Sequence, residues 1–195
     1  MTMDAITPSQ TVGPFFHFAL DRAEWSDLTT TGTRGERIVV EGKILDGDRA
    51  PVDDAIVEIW QANAEGKYDH AENAQADKRV DPGFRGFGRA LTDAQGRYRF
   101  TTIRPGGVPG RDGALLAPHI NVAIFARGLL KQLVTRIYFA GEPANDTDPV
   151  LTGIADPVAR RTLLAIRQDA GAGRPASYSF DIVLQGANET VFFDV

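Results

Sequence analysis

The chain of 195 residues contains no cysteine. Disulfides, thiolate metal sites and cysteine nucleophiles are therefore excluded, and the composition fits a reducing compartment. It also lacks any apolar run near the ~20 residues needed to span a membrane as a helix. The first residues, MTMDAITPSQT, have no basic segment ahead of an apolar core, so no signal peptide is expected and a cytoplasmic protein is. Basic charge is in deficit: 21 Lys and Arg stand against 26 Asp and Glu, for a net charge of −5. That balance argues against nucleic acid or an anionic membrane as partner. Histidine is scarce, with only His17, His70 and His119. No nucleophile-elbow motif supports Ser-His-Asp chemistry. No glycine loop leads into a helix in the manner of a phosphate cradle, because the glycines of 104–113 run into a strand.

What remains is an apolar content of 43%, enough for the core of one large domain, arranged mostly with the two-residue period of strands. Strands are expected at Arg37–Asp46, Ala55–Trp60, His119–Ala126, Leu133–Phe139, Tyr178–Gln185 and Thr190–Phe193. Phe87–Thr92 and Arg97–Ile103 flank Asp93–Gly96 and are expected to form a hairpin, with Gly96 at positive φ. Asp156–Arg167 carries a capping Asp, a Pro at the first helical position and the stripe Val158, Thr162, Leu163 and Ile166, so a helix is expected there. Residues 21–36 are expected to be loop with a short helix near Trp25. Many short strands, glycine-marked turns and little helix indicate an all-β fold, a two-sheet β-sandwich with long loops. The polar connection 61–83 is long enough to suggest a functional loop. Pro8, Gly13 and Pro14 disfavour a regular helix over 7–18. The cluster Phe15, Phe16 and Phe18 suggests an N-terminal arm pinned to the body or laid across a partner.

The stretch Ala117–Gly128, APHINVAIFARG, organises the chain. Pro118 suits a strand start, and His119 and Asn121 share one face of the strand that follows. Two imidazoles at such spacing can grip one metal ion, but an amide is a poor transition-metal ligand. The stretch therefore has the form of a metal site with part of its ligand set missing. His17 is expected to pack among phenylalanines, and His70 to lie on a solvated loop near Asp69 and Glu72. Arg104, Arg111, Arg127 and Arg136 flank the central strand and its neighbour; they read as solvated edges or as a small patch that attracts a carboxylate.

Segments in order along nearly the whole chain resemble the intradiol ring-cleavage dioxygenases. They are TPSQTVGPFF at 7–16, EIWQANAEGKY at 58–68, GRALTDAQGRYRFTTIRPG at 88–106, APHINVAIFARG at 117–128, TRIYFAGE at 135–142, ARRTLLA at 159–165 and FDIVLQG at 180–186. The resemblance implies a family pattern of two tyrosines and a His-x-His on Fe(III). Carried across, the first tyrosine falls at about Ala76, the second at Val108, the first histidine at His119 and the second at Asn121. Tyr68 matches an earlier, non-ligand tyrosine, and Leu116 stands where the catalytic pattern has an arginine. Three of four ligands are replaced, so this chain is not expected to hold metal by itself.

That pattern of loss resembles the alpha chains of the protocatechuate 3,4-dioxygenases, a two-chain branch of the family. The resemblance implies a non-catalytic subunit paired with a beta chain about a pseudo-twofold axis, within a higher-order hetero-oligomer. Ferric iron is then held by the beta chain. The holoenzyme opens protocatechuate with O2 between its two hydroxylated carbons, giving 3-carboxy-cis,cis-muconate. By resemblance, Thr11, Gly13 and Pro14 wall the shared pocket, and Arg127 adds positive charge near the substrate carboxylate. Residues 1–36 are expected to form the arm and its loop, and 37–195 the sandwich domain. Two alternatives stand beside this one. A self-sufficient homo-oligomeric dioxygenase needs Tyr68, His70 and His119 to improvise a site; a non-enzymatic β-sandwich binding module needs no site.

Overall fold

Ile38, Val40 and Ile44 project from one face of the first strand, β1 (Arg37–Leu45), and all three are fully buried. The same alternation recurs in β2 (Ile56–Gln61), β3 (Phe87–Leu91), β4 (Arg97–Ile103), β7 (His119–Phe125) and β8 (Leu133–Phe139). The computed structural model describes residues 10–13, 15–73, 75–110, 113–169, 171 and 173–194. Pro14, Arg111 and the His17 side chain, all singled out from sequence, lie outside the described residues, as do Met1–Ser9.

β2 pairs antiparallel with β3 and with β7, and β7 with β8. On the other side β1 pairs antiparallel with β4 and parallel with β10 (Ala176–Ser179) and β11 (Ile182–Val183). β9 (Leu164–Gln168) joins the halves, parallel to β8 and antiparallel to β10. One core fills the space between them: Ile38, Val40 and Phe100 from one half meet Val57, Ile59, Val122, Ile124 and Ile137 from the other. The two-sheet sandwich is therefore present, joined along one edge. A separate ladder, β5 (Val108–Pro109) with β6 (Leu115–Leu116), interrupts the stretch 104–118, which the sequence presents as plain loop.

Four local expectations are corrected. Residues 87–103 are not a hairpin: β3 pairs with β2 and β4 with β1, so the turn hands the chain from one half to the other. The turn itself has the expected chemistry, with Gly96 at φ 69° and its N–H donating to Asp93 O. Residues 156–167 are not one helix. The capped start is real, since Asp156 accepts from Val158 N, but α3 spans only Pro157–Arg161. Val158 is exposed, and Ile166 lies exposed on β9, because pairing with β8 and β10 satisfies that backbone better than a continued helix. Residues 178–185 break at Phe180–Asp181 into β10 and β11, and 190–193 form no strand: they meet the sheet through a bridge at Val134–Phe193 and through bonds of Thr190 to Val183 and of Val191 O to Thr135. Finally, a short helix, α1 (Phe15–Leu20), does form within the arm. Of its phenylalanines, Phe16 tilts against Phe125 with centroids 6.2 Å apart, whereas Phe15 is 82% exposed.

The long connection after β2 is held by its own polar groups. Asn63 accepts from the N–H groups of Glu65 and Lys67 and donates to Arg79 O. The buried Lys67 ammonium donates to Asn73 O and Gln75 O at 2.7 and 2.8 Å. Asp81 accepts from Arg34 N and Gly83 N. This network fixes the loop that carries Tyr68.

Candidate functional site

Cross-strand register assembles a polar cluster at the head of β7. Asn121 stands opposite Trp60 of β2 and Arg136 of β8, and His119 stands opposite Tyr138. Positions of like parity share a face, so His119, Asn121, Trp60, Arg136 and Tyr138 all point away from the main core. Tyr68 comes from the loop and stacks on Trp60, with centroids 5.8 Å apart and planes 13° from parallel. The Asn121 amide donates to Trp60 O and to the Tyr68 hydroxyl, each at 3.2 Å.

His119 is buried, and its Nδ1 lies 2.8 Å from Ala117 O. A carbonyl can only accept, so Nδ1 carries the proton and Nε2 is left as an acceptor. Burial pushes the His119 pKa down to about 4, partly opposed by the bond to Ala117, so the ring is neutral at pH 7. Burial likewise raises the Tyr68 hydroxyl, against the bond from Asn121 and the charge of Arg136. It pushes Tyr138 up to about 12. Beneath the cluster Asp148 is fully buried. Its carboxylate accepts from Ala117 N, Val150 N and Leu151 N at 2.8–3.0 Å and from the Tyr138 hydroxyl at 3.3 Å. It caps α2 (Pro149–Gly153) and pins the strand entry at one stroke.

This donor set does not fit a ferric ion. His119 offers one nitrogen, Asn121 an amide, and both phenols are held neutral. Val108 is buried on β5 without a ligating atom, and Ala76 is exposed. Of the alternative set Tyr68, His70 and His119, the two histidines have different settings. His70 is exposed on its loop with Nδ1 accepting from Glu72 N, whereas His119 is buried in the cluster. Among the described residues no group of three or more His, Cys, Asp and Glu is placed to hold a metal.

Thr11, Gly13 and Arg127, also singled out from sequence, lie at the opposite end of β7. From His119 to Phe125 the strand runs roughly 20 Å at ~3.3 Å per residue. There Thr11 Oγ1 accepts from Gly128 N at 2.9 Å, which ties the arm to the turn after β7. Arg127 is exposed and pairs with Asp54. A groove of about 280 Å³ runs between arm and turn, lined by Thr11, Val12, Phe125, Leu129 and Leu130. Gly13 is exposed beside it. The three described arginines of that set, Arg104, Arg127 and Arg136, have separate partners. Arg104 pairs with Glu142 at 2.7 Å over the Phe139 ring, Arg127 with Asp54, and Arg136 belongs to the His119 cluster.

Sequence reasoning singled out His119 and Asn121 but did not connect them to Arg136, Trp60, Tyr138 or Asp148. One signal was available: a short turn between β7 and β8 fixes their register, and that register sets Arg136 opposite Asn121. Asp148 before Pro149 carries the same local cap signature as Asp156 before Pro157, but its bonds to Ala117 N and the Tyr138 hydroxyl come from other elements and had no local signal.

Residues 13–186 match the family model described as Dioxygenase. The chain is 41% identical over 200 residues to the protocatechuate 3,4-dioxygenase alpha chain of Pseudomonas putida, covering 96% of each. It is 41% identical over 172 residues to the protocatechuate 3,4-dioxygenase beta chain of Burkholderia cepacia, covering 84% of this chain and 73% of that one. Among solved structures, it is similar to the dioxygenase domain of a dioxygenase and carbohydrate-binding protein fusion from Streptomyces sp. SirexAA-E. The TM-score is 0.62 and the identity 32%, over 93% of this chain and 99% of that one. With the family model running through the sandwich and a relative matched almost end to end, the chain belongs to the intradiol ring-cleavage dioxygenases.

Proposed function

We propose that the chain is the non-catalytic, alpha-type subunit of a protocatechuate 3,4-dioxygenase. The observation that carries this reading is the donor set at the head of β7, which offers one imidazole where the family's iron site needs four ligands. In this reading a beta-type partner holds the ferric ion, in a larger assembly of paired chains. The holoenzyme adds both atoms of O2 to protocatechuate between its hydroxylated carbons and releases 3-carboxy-cis,cis-muconate. Residues 1–36 serve as arm and loop and 37–195 as the sandwich body. A cytoplasmic site of action belongs to the same reading; among the described residues no helix is long and apolar enough to cross a membrane.

This chain's own contribution is wall and charge. Thr11, Gly13 and Pro14 line the shared pocket, and Arg127 faces the substrate carboxylate. Physical support comes from how loosely Arg127 is held. Its side chain is 60% exposed, and such surface pairs are worth about 0–1 kcal/mol. A substrate carboxylate can therefore displace Asp54 and take the bidentate geometry that guanidinium offers. The Thr11–Gly128 bond makes arm and arginine turn one unit, so seating the arm also places Arg127.

The test is co-expression with a beta-type chain, followed by iron and O2-uptake assays on the complex and on each chain alone. The expected result is an iron-bearing complex that consumes O2 with protocatechuate, beside an iron-free, inactive lone chain. Stoichiometric iron and catechol turnover in the lone chain would overturn the proposal.

A further inference from the structure

A hollow of about 850 Å³ opens beside β1 and β4, against about 280 Å³ for the groove beside the arm. The ladder of those two strands lines it, together with residues 21–26 and the end of β3. It shares no lining residue with the arm groove or with the cluster at the head of β7. Its volume is in the range that takes a small organic ligand. The lining carries five cations and four acids, but the two signs are not equally engaged.

Three of the acids are committed. Asp93 accepts from the N–H groups of Gln95 and Arg97, and Asp181 from Lys43 N. Glu41 takes Ser177 Oγ and the Arg99 guanidinium. Among the cations, Arg89 pairs with Glu58 and Arg99 with Glu41, while Arg22 meets Glu24 at a distant 3.9 Å. Among the described residues Lys43 and Arg97 belong to no ion pair. They stand directly opposite each other on β1 and β4, on the outer face of the ladder, and both are exposed. Like charges so placed repel. The nearby Asp93 carboxyl is held below the usual carboxylate range, first by the bond from Arg97 N, with the charges of Arg97 and Lys43 adding to it. One carboxylate thus faces two cations. An ammonium beside a guanidinium, both uncommitted, suits the dianion of a phosphate ester.

The rest of the lining says what carries the phosphate. Its one aromatic ring, Tyr98, is 3% exposed with its hydroxyl on Phe180 O, so a nucleobase finds no ring to stack on. The Asp21 carboxylate and the Ser179 hydroxyl also line the hollow, and among the described residues neither has a side-chain partner. Groups of that kind take up hydroxyls of a ligand. We propose that the hollow binds a phosphorylated polyol, the chemistry of the sugar phosphates, with its phosphate on Lys43 and Arg97 and its hydroxyls on Asp21 and Ser179. The inference is independent of the subunit assignment, since it uses only side chains of this chain.

The probe is glucose 6-phosphate, titrated by calorimetry into the purified full-length chain. Saturable one-to-one binding is expected. Lys43→Gln and Arg97→Gln each weaken it about tenfold. Arg161→Gln, which removes an exposed charge at the end of α3, leaves it unchanged. Inorganic phosphate binds about tenfold more weakly than the ester, and glucose shows no saturable binding. Asp21→Asn weakens the ester a few-fold and leaves inorganic phosphate as it was. All four of these side chains are exposed, so the variants keep the parent fold, which circular dichroism checks. Absence of saturable binding to the folded chain overturns the proposal. So does equal weakening by Arg161→Gln, which marks a general charge effect, and so does binding that ignores both Lys43→Gln and Arg97→Gln. Inorganic phosphate binding as tightly as the ester overturns it too, because the hollow then reads the free ion alone. The assay uses neither iron nor a partner chain, so its failure leaves the subunit reading untouched, and the reverse holds too.

Discussion

At the head of β7, the polar groups are tied into the fold. His119 donates to Ala117 O, the Asn121 amide bridges Trp60 O and the Tyr68 hydroxyl, and Asp148 gathers four donors beneath them. At its tail, Arg127 lies exposed in a surface pair with Asp54, and Thr11 joins it through one bond to the turn. The same strand thus carries a buried polar cluster at one end and a loosely held charge at the other. Buried networks lose much when one member is removed, because the partners stay unpaired. Exposed pairs lose little, because water replaces the missing group. Mutations at the head should therefore register in stability, and mutations at the tail in substrate kinetics.

The largest contrast should come from Asp148→Ala. It leaves the N–H groups of Ala117, Val150 and Leu151 without their acceptor and removes a helix cap. We expect a loss of about 3 kcal/mol in chemical denaturation. A loss below about 1 kcal/mol would mean that the head is not the rigid end.

Acid should act on the same end. The folded-state pKa of His119 is lowered to about 4, below the ordinary value of 6.5. Above pH 6.5 the ring is neutral whether folded or not. As the pH falls from 6.5 toward 4, the unfolded chain takes up a proton that the folded chain refuses, so stability declines, by up to roughly 3 kcal/mol. Denaturation midpoints measured across that window should fall, and His119→Gln should flatten the fall relative to the parent chain.

Arg127→Ala probes the tail. In the reconstituted complex we expect KM for protocatechuate to rise about tenfold, through loss of a charge-assisted bond, while thermal stability stays within about 0.5 kcal/mol. An unchanged KM would remove Arg127 from the substrate's surroundings. The smallest effect belongs to Asp54→Ala. Freed of its competitor, Arg127 should lower KM by a few-fold at most, with the salt dependence of KM becoming steeper.

How much of this was written in the sequence depends on how local its cause is. The alternation of Ile120, Val122 and Ile124 and of Thr135, Ile137 and Phe139 marks β7 and β8 unaided, and all six side chains are buried. The Asp156–Pro157 helix start was equally local, and it is present. Its continuation was not: Leu164–Gln168 has a helical pattern but becomes β9 because two strands, β8 and β10, are waiting to pair with it. The turn at Asp93–Gly96 was legible, but which strands its two arms join was not, since that is decided in β1 and β2. At the site, period alone put His119 and Asn121 on one face. Arg136 and Trp60 joined them only through register, and Tyr68 only through a loop whose path is set by Asn63 and Lys67.

The parallel pairing of β1 with β10 has a further consequence, for how the chain is born. Ile38 stands beside Ala176 and Glu41 beside Ser179, so the strand that opens the sandwich waits for one made some 140 residues later. At about 5–20 residues per second, the gap of some 140 residues lasts of the order of ten seconds. Throughout that interval one edge of β1 is unpaired, a template for stray strands of other nascent chains. The antiparallel partner β4 arrives much earlier and closes the other edge. Arrest of synthesis between β4 and β10 therefore leaves a half-closed sandwich with that one edge open.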